Sequence, residues 1–283
     1  MISEQPLTTL FDNGLPDASG QLGRMAVVVA HPDDEGLWFS SVLARMDTIV
    51  ICLMGSKSRP QLGAARRASL ESYLLSGLIS LGIDQADCFG GADWRHPQLN
   101  TLGIALPNRP DAEERYHDNY KTLRHRLRPY LVGIDHVFTH APWGEYGHEE
   151  HIQIHRVVSD LQQELGFKLW YPTYCSTKTR LLLRQVRISS AAKILTLHTD
   201  RDLAARLKAN YQSNNCWTWY PDWYGWDEES FIGQSPEEYQ RSASGIRLPA
   251  RLLNHILQPE EKPGLWERLT GRHRGVDSTL QRG

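Results

Sequence analysis

Residues 30–35 read AHPDDE and follow an apolar run, so that Ala26 to Glu35 is AVVVAHPDDE. A histidine and three acids therefore crowd the end of what reads as a buried strand. Adjacent carboxylates repel one another, so a positive partner is expected beside them. Imidazole and carboxylate suit a divalent metal such as zinc, and a neighbouring carboxylate not bound to the metal can act as base for an activated water. A plainer reading is equally open, in which Asp33 or Asp34 caps a helix that begins near Glu35. A second cluster, HAPWGEYGHEEH at residues 140–151, directly follows another apolar strand, Val137–Thr139. His148 and His151 are i and i+3, a spacing that lets both face one cleft at the start of a helix. Two such clusters, each after a core strand, favour the metal reading.

The elements that must position these clusters are apolar β-branched runs alternating with helical patterns. Strands are expected at Met25–Ala30, Thr48–Met54 and His136–His140, with helices at Leu62–Leu81 and from Glu149 to Leu165. Strands that are continuously apolar imply burial on both faces, hence a parallel sheet covered by helices. The expected fold is α/β: a Rossmann-like three-layer sandwich with a mostly parallel sheet, in which ligands bind beyond the carboxyl ends of the strands. Lys168–Cys175, Arg180–Arg187 and Ile194–His198 read as further strands, and Asp200–Asn210 as a further helix. Residues 214–226, NNCWTWYPDWYGW, then hold four of the nine tryptophans. The reading is a catalytic domain over 1–213, its core from about 24, with an aromatic-rich C-terminal extension over 214–283 packed on it. That extension contains an amphipathic Ile246–Leu257 and a partly disordered tail.

The chain has 283 residues, 40 % apolar and 23 % charged, with a formal charge of −2. That balance argues against a nucleic-acid binder, which usually carries a basic surplus. Twelve histidines favour metal or acid/base chemistry. Cys52, Cys88, Cys175 and Cys216 form no C-x-x-C pair, so reduced, buried thiols in a cytoplasmic protein are expected. No leader pattern opens the chain, and no segment reaches the roughly 18 apolar residues of a membrane span. No G-x-G-x-x-G follows the first strand, which counts against a dinucleotide enzyme.

AHPDDE after the first strand, with G-E-Y-G-H-x-x-H after a later one, resembles the PIG-L/LmbE-like zinc-dependent de-N-acetylases, from about Met25 to at least Asn214. The resemblance implies His31, Asp34 and His151 as metal ligands, zinc being the expected ion and another divalent cation the alternative. It implies Asp33 as general base, His148 as stabiliser of the charged intermediate and Tyr146 as a group polarising the amide carbonyl. Glu150 stands where the family commonly has aspartate and is expected to orient a histidine. The implied activity is hydrolysis of the N-acetyl group of an N-acetylglucosamine-type sugar in a glycoconjugate, natural product or lipid-linked precursor.

Substrate contacts are expected from Arg67, which forms an i, i+4 pair with Glu71, and its neighbour Arg66 is a candidate as well. Asp93 in GGADWRH, Trp217 and Trp219 are further candidates. The plainer readings are a surface ion pair for Arg67, a turn cap for Asp93 and a satellite core for the tryptophans. Expected partners are a small-molecule or glycoconjugate substrate and no nucleic acid. A second copy of the chain is allowed, as is peripheral membrane contact through Ile246–Leu257. The competing function is a non-hydrolytic glycan binder that uses the tryptophan-rich segment.

Overall fold

The computed structural model describes residues 23–223, 225–240, 245–248 and 253–255. The stretch before Gly23, Tyr224 and the tail beyond His255, where disorder was expected, lie outside the described residues. The strands of the main sheet are β1 (Met25–Val29), β2 (Thr48–Gly55), β3 (Leu78–Asp84), β4 (His136–Thr139), β5 (Lys168–Pro172), β6 (Lys193–His198) and β7 (Glu228–Gln234). The helices that cover it are α1 (Asp34–Trp38), α2 (Pro60–Glu71), α3 (Pro110–Leu131), α4 (Glu149–Leu165) and α5 (Arg201–Ser213). Strand order is β3-β2-β1-β4-β5-β7-β6, parallel from β3 to β5, with β7 and β6 antiparallel at one edge.

Alternation along β1 explains why the strand carries no polar face. Val28 packs with Leu127, Ile154 and Leu161 from α3 and α4, while Val27 and Val29 pack on the opposite side with Leu203 and Leu207 from α5. Side chains alternate between faces, and here helices bury both. The chain runs from β1 out to β3 and returns to β4 on the other flank of β1. The loops after β1 and β4 therefore diverge at a topological switch point, where a crevice opens.

Several elements differ from the expectation. The helix expected over Leu62–Leu81 ends at Glu71, and Leu78–Asp84 is the edge strand β3 paired with β2. Its leucines fit either period, and pairing with β2 decides. Arg180–Arg187 is a turn of helix at Arg180–Leu183, with only Arg187–Ile188 extended against Ile246–Arg247. The expected Lys168–Cys175 strand stops at Pro172. Tyr174–Cys175 pairs instead with Asn254–His255. The expected helix Ile246–Leu257 is, in its described residues, these two short strands. Peripheral membrane contact through an amphipathic helix loses its basis there.

Two elements had no counterpart in the sequence reading. Helix α3 starts with Pro110 at N1 and acids Asp111 and Glu113 in its first turn. It buries Ala112, Tyr116, Leu123, Leu127 and Leu131, a sparse stripe on a polar helix. Strand β7 inserts between β5 and β6, so the boundary after residue 213 cuts through the main sheet rather than separating an appendage. Its Gly233 is required by packing: a Cβ there would lie 2.5 Å from the Trp170 ring.

Candidate active site

The loops after β1 and β4 meet as the motifs required. β1 delivers His31, Asp33 and Asp34 at its carboxyl end, and β4 delivers residues 140–151. Gly147, at φ 93, turns the chain into α4 with His148 at the helix N-cap. His148 and His151 stack with ring centroids 4.6 Å apart.

Five groups lie close enough to share a cation, in two overlapping sets: His31, His148 and His151, and Asp34, His140 and His151. Hydrogen-bond partners separate them. His148 Nδ1 accepts from the Glu150 amide at 3.2 Å, so in the neutral ring the proton sits on Nε2. His140 Nε2 accepts from the Ala30 amide at 2.9 Å, and its Nδ1 meets Glu145 at 3.2 Å. Neither ring has a lone pair left for a metal.

His31 and His151 are held the other way round. His31 Nε2 faces Glu150 Oε2 at 2.9 Å, and the same carboxylate accepts from the Ala86 amide through Oε1 at 2.5 Å. His31 Nδ1 is then free of its proton and lies 3.3 Å from Asp34 Oδ2. His151 Nδ1 faces Glu145 Oε2 at 2.6 Å, which leaves Nε2 3.3 Å from Asp34 Oδ1. That Nε2 is buried without a hydrogen-bond partner. Carboxylates that take the far nitrogen of a ring commonly orient metal-ligating histidines. Two imidazole nitrogens and a carboxylate converge here, a donor set that a divalent cation fits by displacing the proton that His151 otherwise holds.

The electrostatics agree. Burial opposes charge on His151, but Asp34 and Glu145 outweigh it and raise the imidazole to about 10, so the spot attracts positive charge. Burial likewise opposes ionisation of Asp34 and Glu145. The facing histidines prevail, taking Asp34 well below the usual carboxylate range and Glu145 to about 2. His148 goes down, by burial first and then by the neighbouring His151 and His31. It is a neutral ring with an Nε2–H to offer.

Asp33 is 2 % exposed and lines the same cavity of about 620 Å³ as His31, Asp34, Tyr146 and His148. Its backbone stands at φ 101, a conformation that costs about 1–3 kcal/mol in a residue other than glycine. Although it sits at the N-cap of α1, it makes no capping bond. Its Oδ2 instead accepts from the Thr218 amide at 3.1 Å and hydroxyl at 2.7 Å. Burial and then the charge of Asp34 push its carboxyl up to about 6. Tyr146 is raised well above its ordinary value, chiefly by burial, so its hydroxyl keeps its proton and can donate.

The expected substrate contacts divide. Trp219 lines the cavity, with its ring 4.7 Å from that of Tyr146. Trp217 does not: it packs against Trp223 and donates to the Tyr220 carbonyl at 3.1 Å. Arg67 is exposed on the outer face of α2, whereas Arg66, one position earlier, is buried in the cavity wall and donates to Gln85 at 3.0 Å. A one-residue step turns a helix by about 100°, which is why the neighbouring arginine faces the site. Asp93 lies outside this cavity and caps its own turn through the Arg95 amide at 2.9 Å and His96 at 3.2 Å.

Four residues with roles here were not singled out. Glu145 orients His151, and Glu149 ties down the loop after β3 through the amides of Gly90 and Ala92. Glu35, fully buried, accepts from the Tyr73 and Tyr211 hydroxyls, and Thr218 holds Asp33. The acids stand inside the two motifs, where a demand for carboxylates behind each histidine would have found them. Thr218 gives no local signal.

Residues 26–161 match the family model described as PIG-L, GlcNAc-PI de-N-acetylase. A protein of Corynebacterium diphtheriae named 1D-myo-inositol 2-acetamido-2-deoxy-alpha-D-glucopyranoside deacetylase is 28 % identical, over 54 % of this chain and 57 % of that protein. One of the same name from Nocardia farcinica is 29 % identical, over 66 % of this chain and 64 % of that protein. The chain thus spans less than two thirds of the length of the curated relatives it matches. A crystal structure described as a deacetylase–teicoplanin complex aligns with 75 % of this chain and 98 % of its own, at a TM-score of 0.46 and 12 % identity. The family match carries both histidine and aspartate motifs. Over residues 26–161, just under half of its length, this chain is similar to the PIG-L family.

Proposed function

We propose that the protein is a zinc-dependent hydrolase that removes the N-acetyl group from an N-acetylglucosamine-type amino sugar, giving acetate and a free amine. The observation that carries this reading is a buried carboxylate, Asp33, lining one cavity with His31 and Asp34, while His31 Nδ1 and His151 Nε2 each lie 3.3 Å from an oxygen of Asp34. His31, Asp34 and His151 are the ligands in this reading. A divalent cation held by them, zinc by its affinity for imidazole and carboxylate, supplies Lewis-acid activation of water and of the amide carbonyl. The names of the curated relatives support an acetamido sugar as substrate.

Each step then falls to a residue with suitable chemistry. Asp33, ionised at neutral pH with a carboxyl near 6, takes a proton from the attacking water and returns it to the departing nitrogen. His148 Nε2–H and the Tyr146 hydroxyl donate to the oxyanion as it develops. Trp219, Leu37 and Arg66 shape the surrounding wall. The four cysteines are free and buried, which supports a reducing, cytoplasmic setting. Among the described residues no helix is long and apolar enough to cross a membrane. The glycan-binder reading gains no support, because only one of Trp217, Trp219, Trp223 and Trp226 lines the cavity.

The test is acetate and free-amine release from a panel of N-acetylglucosamine conjugates, with and without chelator. Release that chelation abolishes and zinc restores is expected. Release that survives complete metal removal refutes the reading, as does a lack of release across the panel by zinc-loaded protein.

A further inference from the structure

Asp33 is held from a part of the chain that lies beyond the matched segment. Both bonds from Thr218 fall on the same oxygen, Oδ2, and no described residue bonds Oδ1. The Asp33 amide donates to Glu35 Oε2 at 3.1 Å, and Glu35 Oε1 accepts from the Tyr211 hydroxyl on α5. The chain from Tyr211 to Thr218 is itself braced. The Cys216 amide donates to the Tyr211 carbonyl at 2.9 Å, and Asn215, at φ 56, turns the backbone after the helix. Trp219 stands edge-on to Trp38 of α1 with centroids 5.4 Å apart, which seats Thr218 over the start of that helix.

A competing partner stands nearby. Arg66 lines the same cavity, acts electrostatically on Asp33 and has a buried Nε with no hydrogen-bond partner. A carboxylate free to rotate could settle on that guanidinium rather than on the attacking water. We propose that Thr218 is a positioning residue: by fixing Oδ2 it keeps Oδ1 of Asp33 turned to the cavity, where the attacking water must lie. The inference rests on Asp33 being the base.

The experiment compares Thr218→Val and Thr218→Ser in the zinc-loaded full chain on the best substrate of the panel. A bond to a charged group supports a drop in kcat of about tenfold for the valine variant, with KM, zinc content and melting temperature unchanged. The serine variant, which keeps the hydroxyl, should recover most of the rate. Wild-type kcat in the valine variant overturns the proposal, as does a serine variant equally slow or a loss confined to KM or zinc content. A second measurement needs no turnover: a double-mutant cycle of Asp33→Ala and Thr218→Val in equilibrium unfolding. If no conjugate is hydrolysed by the wild type, the deacetylase reading falls. Additive effects in the cycle then overturn the clamp as well, whereas coupling retains it as a contact.

Discussion

Replacing Glu150 by glutamine should weaken zinc binding although Glu150 does not face the cation. Its carboxylate meets two groups, the Ala86 amide at Oε1 and His31 Nε2 at Oε2. The Ala86 N–H can only donate, so the single oxygen of a glutamine amide must stay with it. The NH2 then faces His31 Nε2, which must accept. That moves the ring proton to Nδ1, the atom 3.3 Å from Asp34 Oδ2 and the one offered to the metal. Loss of such a supporting partner costs about 10–100-fold in metal affinity. That is about 1.4–2.8 kcal/mol. Glu150→Asp keeps two acceptor oxygens on a shorter stem and should lie nearer the wild type. Competition for zinc against a chromophoric chelator at neutral pH reads this directly, with circular dichroism to check the fold. A glutamine variant binding zinc within twofold of wild type, or more tightly than the aspartate variant, would refute the tautomer argument.

Other consequences are equally open to measurement. Asp33→Asn should retain zinc while kcat falls about 10²–10⁴-fold, the usual contribution of a general base; near-normal turnover excludes that role. Trp219→Leu should raise KM by about 2–10-fold through lost ring contacts, whereas Trp217→Leu should leave KM alone, since it stands outside the cavity. His155 is buried with its imidazole lowered by burial to about 4. The unfolded ring takes its proton below about 6.5, so stability should fall as pH drops from 6.5 toward 4, by about 3 kcal/mol in all. His155→Gln should flatten that acid limb in urea titrations, and an unchanged limb would count against it. Gly233→Ala forces a Cβ into the Trp170 ring and should cost about 1–3 kcal/mol, read from the urea midpoint.

Legibility in the sequence followed the physics of each segment. Strands β1, β2 and β4 and helix α4 announced themselves, because elements buried on both faces or along a broad stripe must be apolar throughout. Leu78–Asp84 did not: leucine-rich and half exposed, it fits a helix until β2 supplies its pairing. Strand β7, with the sequence EESFIGQ, has too little apolar content to read as a strand, and only its place between β5 and β6 makes it one. Arg66 and Arg67 were both candidates in the sequence, and the helical phase fixed by packing turns Arg66 to the cavity and Arg67 to solvent.

By itself the sequence determined which residue types stand at the ends of β1 and β4, and so the chemistry they can perform. Spacing inside a short motif constrains geometry tightly, since His31, Asp33 and Asp34, or His148 and His151, are never more than a helical turn apart. Only the tertiary structure decided which nitrogen of each histidine is free, because that depends on Glu145 and Glu150, on the Ala30 amide and on the crossing of two strands. It also brought Thr218, 185 residues away in the chain, onto Asp33. Contacts over such separations follow from helix and sheet packing, which no local pattern records.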